Sequence, residues 1–358
     1  MSSFDTEAPP PRRRRAWTGV ERALAAVGLS GRALVIAAPA VWLTVFFLIP
    51  LAVVFSISLT IKQFGRPPYT PLLTNEEGTV QLTLHLNNYI RLFTDSLYVA
   101  AYLSSIKIAL ISTVITLLIG YPMAYAIARA PDQWRNIFLM LVILPFWTSF
   151  LLRVYALTGF MRGNGVINQF LDAIHFQAAI DLWNRLGQLI TGSIDNVWFV
   201  ITGSAAGVSL TIPTLPWQMM QTDFAVYVGI VYIYLPFMIL PLYTNLVKLD
   251  GALLEASADL GARPARTFLT ITLPLSMPGI IAGSMLVFIP AIGEFVIPSL
   301  LGGPSSLMIG RVLWDEFFAN TNWPRASAVA VAMLVVVVVP IMLLQRAQDA
   351  VQDKERAR

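Results

Sequence analysis

Three ionisable side chains sit inside long apolar stretches of this sequence: Lys107, Arg153 and Glu294. A charge facing lipid costs on the order of a few kcal/mol, so each needs either a partner or a task. Counting the helical rise per residue from the ends of the apolar runs puts Glu294 about 10 Å, Lys107 about 14 Å and Arg153 about 8 Å below the same boundary. A shared depth supports two readings. In one, Glu294 pairs with Lys107 or Arg153 and holds helices in register. In the other, Glu294 lines a pathway through the membrane. Side chains that stabilise ammonium groups stand in the same regions: Phe295, Trp147, Tyr155, Tyr232, Tyr234 and Trp314, with the carboxylates of Asp315 and Glu316. Trp and Tyr near the ends of apolar runs also serve as interfacial anchors.

Other chemistry is missing. There are no cysteines, which removes disulfides and thiolate sites. None of the four lysines, Lys62, Lys107, Lys248 and Lys354, stands in a phosphate-binding G-x-x-x-x-G-K-[ST] loop. His85 and His175 have no metal-ligand spacing and read as solvated loop residues. No nucleophile elbow or clustered acid-base site is present. The sequence therefore offers no catalytic residues, no metal site and no engine of its own.

The elements that position the three charges follow from composition. Of 358 residues, 56% are hydrophobic and 12% charged, and the mean hydropathy is +0.69. A soluble domain carries about 25% charge. The pattern predicts an all-α polytopic membrane protein. Six runs reach the length of a span, near 33–60, 98–128, 137–158, 224–247, 279–301 and 326–344. Prolines recur within them, including Pro39, Pro50, Pro122, Pro145, Pro236, Pro241, Pro290, Pro298 and Pro340, which predicts kinked helices around a pathway. Residues 1–32, with the run PPPRRRR, form a polar N-terminal tail that includes a candidate surface helix. The following apolar run is too long for a cleaved signal. Lys and Arg number 15 in segments 1–32, 129–136, 248–275 and 345–358, against 7 in 61–97, 159–223 and 302–325. The bias puts both termini in the cytoplasm, makes 61–97 an external loop and 346–358 a cytoplasmic tail. The basic charge thus reads as membrane topology, without nucleic acid. The apolar stretch 196–213 competes as a seventh span. Its length and its Gly, Ser and Thr content favour a place within an ordered external loop.

One short polar segment interrupts the apolar pattern. Asp250 can cap a helix over GALLEASADL, Gly261 can end it, and Pro264 can open a second helix. Leu253, Ala256 and Leu260 share a face. This is a rigid knob on the cytoplasmic side, and by pattern alone an ordinary connector would look the same.

The residues of that segment resemble the cytoplasmic signature of ABC importer permeases. The signature reads E-A-A, three residues, G, nine residues, I, one residue, L-P. Here Glu255-Ala256-Ser257, Gly261, Ile271, Leu273 and Pro274 match every spacing, with Ser257 in place of the second alanine. LPFWTSFLLRVY (144–155), NGVINQFL (164–171), IVYIYLPFMILPLYTNL (230–246), GSMLVFIPAIGEFVIPSLLGG (283–303) and MIGRVLWDEFF (308–318) are similar to the polyamine branch of the type I importers, nearest the putrescine type. The resemblance implies a type I transmembrane core over 98–345 whose loop 248–275 holds a coupling helix gripped by an ATPase. It further implies a second permease subunit, two ATPase subunits that use ATP and Mg, an extracytoplasmic binding protein and an inner-membrane location. One departure is an insertion at about 172–220, which enlarges an external loop that would face the binding protein. The same spans would also suit a permease for an opine or an amino-acid-derived cation. A stand-alone secondary transporter would show internal repeats, which are not evident here.

Overall fold

The computed structural model describes residues 31–76, 79–174, 218–304 and 306–356, together with 176, 178–182, 184–186, 188 and 189. Residues 1–30, His175 and 190–217 lie outside the described residues. With them lie the expected tail, most of the expected insertion 172–220 and the stretch 196–213.

Helix α1 comprises Gly31–Leu43, a π-helical turn Thr44–Leu48, and Ile49–Ser58. It is apolar all round, and no residue of its most apolar window is buried within the chain. Thr44 and Ser56 donate to the carbonyls of Ala40 and Ala52, both at 2.8 Å, which hides their hydroxyls. A loop follows with a two-stranded antiparallel hairpin, β1 (Leu73–Glu76) and β2 (Thr79–Leu82), in which Leu73 faces Leu82. A short helix, α2 (Asn87–Thr94), leads on. The hairpin and an isolated bridge between Lys62 and Tyr69 are the extended pairings among the described residues of an otherwise helical fold.

The core is a triangle of three helices. α3 (Ser96–Arg129) starts where Asp95 Oδ1 accepts the N–H of Leu97 at 3.0 Å, an N-cap. α7 (Asp223–Leu246) starts where Thr222 accepts from Ala225 at 3.3 Å. α7 packs against both α3 and α10 (Met277–Ile292), which also pack on each other. Ile108, Ala109, Ile230, Met238, Leu242, Val287 and Ala291 are buried where the three meet. Small residues let the backbones approach. Gly120 of α3 and Gly283 of α10 both face Met238 of α7, and a Cβ on Gly283 would lie 2.8 Å from Met238 Sδ and 3.1 Å from Met238 O.

Two expected spans are broken. The run 137–158 does not cross as one rod. α4 (Asp132–Ile143) passes into a 3-10 turn, Leu144–Trp147, before α5 (Phe150–Met161) and α6 (Val166–Ala173). The pieces before and after Thr148 bend by 95°. Pro145 supplies no N–H to the ladder, and Thr148 is extended. The run 279–301 likewise stops at Ile292. Gly293, Glu294 and Phe295 are unwound before α11 (Val296–Leu300). Among the described residues three helices are long and apolar enough to cross a membrane, or five with each bent pair taken as one span. The apolar helix Trp323–Val339 falls just short of that length. It belongs to α13 (Trp323–Arg356), which packs on α1 and stays helical through most of the expected tail 346–358.

Gly283→Val forces a branched side chain against backbone and sulfur at the helix junction. It is expected to cost about 1–3 kcal/mol, seen as a lower thermal unfolding midpoint of the detergent-purified protein. An unchanged midpoint would refute a rigid junction at Met238.

Candidate functional site

Two polar constellations stand at opposite ends of α3. The first is the segment that interrupts the apolar pattern. α8 (Gly251–Asp259) is capped by Asp250, whose Oδ1 accepts the N–H of Ala252 at 3.0 Å. It ends in a Schellman turn. Ala262 N–H donates to Ser257 O at 3.1 Å and Gly261 N–H to Ala258 O at 2.8 Å. Gly261 has φ +75°, where a β-carbon is strained. Pro264 opens α9 (Pro264–Leu275), which contains a π-helical turn Phe268–Thr272 with Ile271 in it, followed by Leu273 and Pro274.

Ser257 explains its own departure from alanine. It is buried, and its Oγ shares a 2.7 Å hydrogen bond with Thr267 Oγ1, tying α8 to α9. Glu255 and the apolar face behave oppositely. Leu253, Glu255 and Ala256 are exposed, and Leu260 is 88% exposed. The knob therefore joins a fixed inner side to an open apolar outer face. Aromatic contacts tie it to α3: Phe268 meets Tyr121 edge-on at 5.5 Å and Tyr125 at 6.3 Å. Tyr121 and Ser276 hydroxyls share a 2.9 Å hydrogen bond at the 65° bend between α9 and α10.

The second constellation surrounds Glu294, which is buried at the break after α10. Its Oε1 accepts the N–H groups of Phe295 at 3.1 Å, Val296 at 3.0 Å and Ile297 at 3.4 Å. Its Oε2 accepts the hydroxyl of Tyr234 at 2.7 Å. The expected ion pair is thus not formed. Among the described residues neither Lys107 nor Arg153 makes a salt bridge. The reason is aromatic packing. The Arg153 guanidinium lies 5.8 Å from the Phe146 ring, Phe146 meets Phe237 at 5.0 Å, and Phe237 meets Tyr234 at 5.9 Å. A series of ring contacts thus leads from the cation to Tyr234, which bonds the carboxylate. Lys107 is exposed on α3. The hydrogen-bond partners of Glu294 are all neutral donors, and it makes no salt bridge among the described residues.

The structure brings Phe295 and Trp314 together, stacked at 4.5 Å and 9°. α12 (Ile309–Trp314) lies directly on the break: a Cβ on Gly310 would sit 2.3 Å from Gly293 O and 2.7 Å from Glu294 O. Only glycine permits that approach. Trp147 and Tyr155 are exposed, and the hydrogen bonds and ring contacts around Glu294 do not include them.

Sequence reasoning missed a third group nearby. Glu316 is buried, accepts Tyr98 OH at 2.7 Å, and lies 3.7 Å from the Arg325 guanidinium. No local spacing links a tyrosine and a glutamate 218 positions apart. Tyr98 stands near the start of α3 and Tyr121 near its end, separated by a rise of about 34 Å. The knob and the acidic end are therefore on opposite sides of the bundle.

A family model described as the inner membrane component of binding-protein-dependent transport systems matches residues 97–356. The chain belongs to this family. It is an inner-membrane transport permease. The spermidine/putrescine transport system permease protein PotB of Escherichia coli K12 is 37% identical over 286 residues, covering 80% of this permease and 90% of the relative. PotB of Haemophilus influenzae is 35% identical over 313 residues, covering 87% and 92%. Among solved structures, a bacterial ABC transporter involved in the import of the acidic polysaccharide alginate aligns with TM-score 0.52 at 16% identity, over 93% of this permease and 99% of that chain. At that identity the likeness shows the fold.

If Glu294 has no cationic partner, a double-mutant cycle of Glu294→Gln with Arg153→Gln in purified protein should give a coupling below about 0.5 kcal/mol in unfolding free energy. A coupling above about 1.5 kcal/mol would restore the ion pair. Ser257→Ala should cost about 0.5–1.5 kcal/mol of local stability, read as faster hydrogen exchange over 250–267. Unaltered exchange would remove the tie between the two helices.

Proposed function

We propose that this permease is the membrane subunit of an ATP-driven importer of polyamines, putrescine or spermidine. The observation that carries this reading is the 37% identity over 286 residues to spermidine/putrescine permeases, spanning most of both chains. The chemistry at Glu294 supports it. A buried carboxylate solvated by neutral donors and flanked by the stacked rings of Phe295 and Trp314 suits an alkylammonium ion.

The working complex holds this chain, a second permease subunit, two ATPase subunits and an extracytoplasmic binding protein. ATP and Mg are used by the ATPase subunits, and this chain binds no cofactor. Both termini and the segment 248–275 lie in the cytoplasm, in keeping with the Lys and Arg bias. The knob docks on the ATPase through Leu253, Ala256 and Leu260, with Glu255 at its exposed edge. Ser257, Gly261, Ile271, Leu273 and Pro274 keep the knob in shape and join it to α10. Closure of the ATPase dimer on ATP shifts the knob, and the π turn and the Tyr121–Ser276 contact pass that shift to α3 and α10. The pathway then opens outward to receive substrate and returns inward after hydrolysis.

The test is uptake of labelled putrescine, with spermidine and an amino acid as competitors. The cells lack their own polyamine importers and express the full complex. Wild type should accumulate putrescine, and spermidine should compete. Gly261→Asp places a side chain where φ is positive and breaks the turn. It should abolish uptake while protein remains in the membrane at normal level. Uptake retained by Gly261→Asp would refute coupling through the knob. An assembled complex with an active ATPase that ignores putrescine would refute the polyamine reading.

A further inference from the structure

The ring contacts around the π-helical turn Asp315–Ala319 form a single series. Tyr69, in the 61–97 loop, lies 6.3 Å from Trp323. Trp323 stacks on Phe317 at 5.1 Å and 7°, and Phe317 meets Phe318 at 4.9 Å. Phe318 meets Trp314 at 4.1 Å, and Trp314 stacks on Phe295 at 4.5 Å. Phe295 adjoins Glu294 in sequence and donates its N–H to the Glu294 carboxylate. The series runs from a loop at one end of the bundle to the buried charge.

Core packing does not account for it. Trp314 is 43% and Phe318 57% exposed, and Asp315, between them in sequence, is exposed as well. Asp315, Asn320 and Thr321 are exposed beside the rings, so the patch is mixed rather than purely apolar. Lys62 Nζ donates to Asn320 O at 2.6 Å and holds the loop against the same turn. The π turn is closed by Asn320 N–H donating to Asp315 O at 2.8 Å. It sorts two adjacent carboxylates: Glu316 faces inward to Tyr98 and Arg325, and Asp315 stays outside with Trp314 and Phe318. Glu316 is thereby occupied as an anchor, and Asp315 is left free of salt bridges among the described residues.

We propose that Phe295, Trp314 and Phe318, with Asp315, form a cation station preceding Glu294. Ring faces and a carboxylate there hold the ammonium groups of an alkyl polyammonium substrate before the leading one reaches Glu294. Tyr69, Phe317 and Trp323 brace this station from the loop side. The proposal deepens the polyamine reading and rests on it. Ring faces suit such a task physically. They attract an ammonium ion without replacing all of its hydration, so the ion is held and can still leave. The apolar rims accept the methylene chain between two ammonium groups. Stacking keeps the rings aligned and covers the faces they turn to each other, so the ammonium groups meet the exposed sides of Trp314 and Phe318.

The test uses the assembled transporter in proteoliposomes with its binding protein and labelled putrescine. Trp314 is replaced site-specifically by tryptophans carrying increasing numbers of fluorines, which weaken the ring's attraction for cations and barely change its shape. KM should rise stepwise with fluorine count while complex yield and ATPase activity stay constant. Phe318→Leu should raise KM several-fold, and Phe318→Tyr should restore it. A KM that is flat across the fluorinated series, with Phe318→Leu equal to wild type, would overturn the station while putrescine uptake by wild type upholds the polyamine reading. Absence of uptake by wild type would overturn both.

Discussion

A carboxylate buried inside a membrane protein must be solvated by something other than water, and the way Glu294 is solvated sets much of the surrounding architecture. Three backbone N–H groups can converge on one oxygen only if the helix stops. So α10 ends at Ile292, and the chain unwinds through Gly293 and Phe295 before α11 begins. The unwound backbone needs cover, which α12 supplies at a distance that Gly310 alone allows. The second oxygen needs a donor, which fixes Tyr234 and the rotation of α7. A lysine or arginine would have solvated the charge more strongly and cancelled it. Its hydrogen bonds come instead from three backbone N–H groups and a phenol, none of which carries a counter-charge.

The end of the bundle that carries the knob follows a different rule. There a small polar side chain, Ser257, turns inward while large apolar ones, Leu253 and Leu260, stand exposed beside Glu255 and Asp259. Ser257 is used for internal bonding, and Leu260 is left bare. Leucines as bare as these are unusual on a water-exposed helix of this length. Their exposure is intelligible when the outer surface is completed by another protein. The positive φ of Gly261 and the Schellman turn make the knob stiff enough to be pushed as a unit.

Much of this was legible in the sequence, because much of it is local. The Asp250 cap, the Gly261 stop and the Pro264 restart are encoded by residue types whose backbone preferences act over one turn. The apolar runs announce helices of membrane-crossing length and composition, α1 among them. What escaped was set by contacts between distant residues. The partner of Glu294 could be sought by charge and depth, which pointed to Lys107 and Arg153. Aromatic rings that intervene in space, Phe146, Phe237 and Tyr234, carry no charge to betray them. Pro145 marked a kink in its span, but no local residue pattern specified its 95° size or the extended Thr148 that follows. The Glu316–Tyr98–Arg325 group joins three elements that no window of sequence contains.

The two ends of the molecule share α3, a continuous helix of 34 residues that carries Tyr98 near its start and Tyr121 near its end. A rod clamped at both extremities translates angle into distance. Over a rise of about 34 Å, a tilt of five degrees or so moves one end relative to the other by roughly 3 Å. That is comparable to the spacing between hydrogen-bonding partners. A swing too slight to unpack the triangular core is thus large enough to make or break the Tyr98–Glu316 contact, and with it the footing of the π turn.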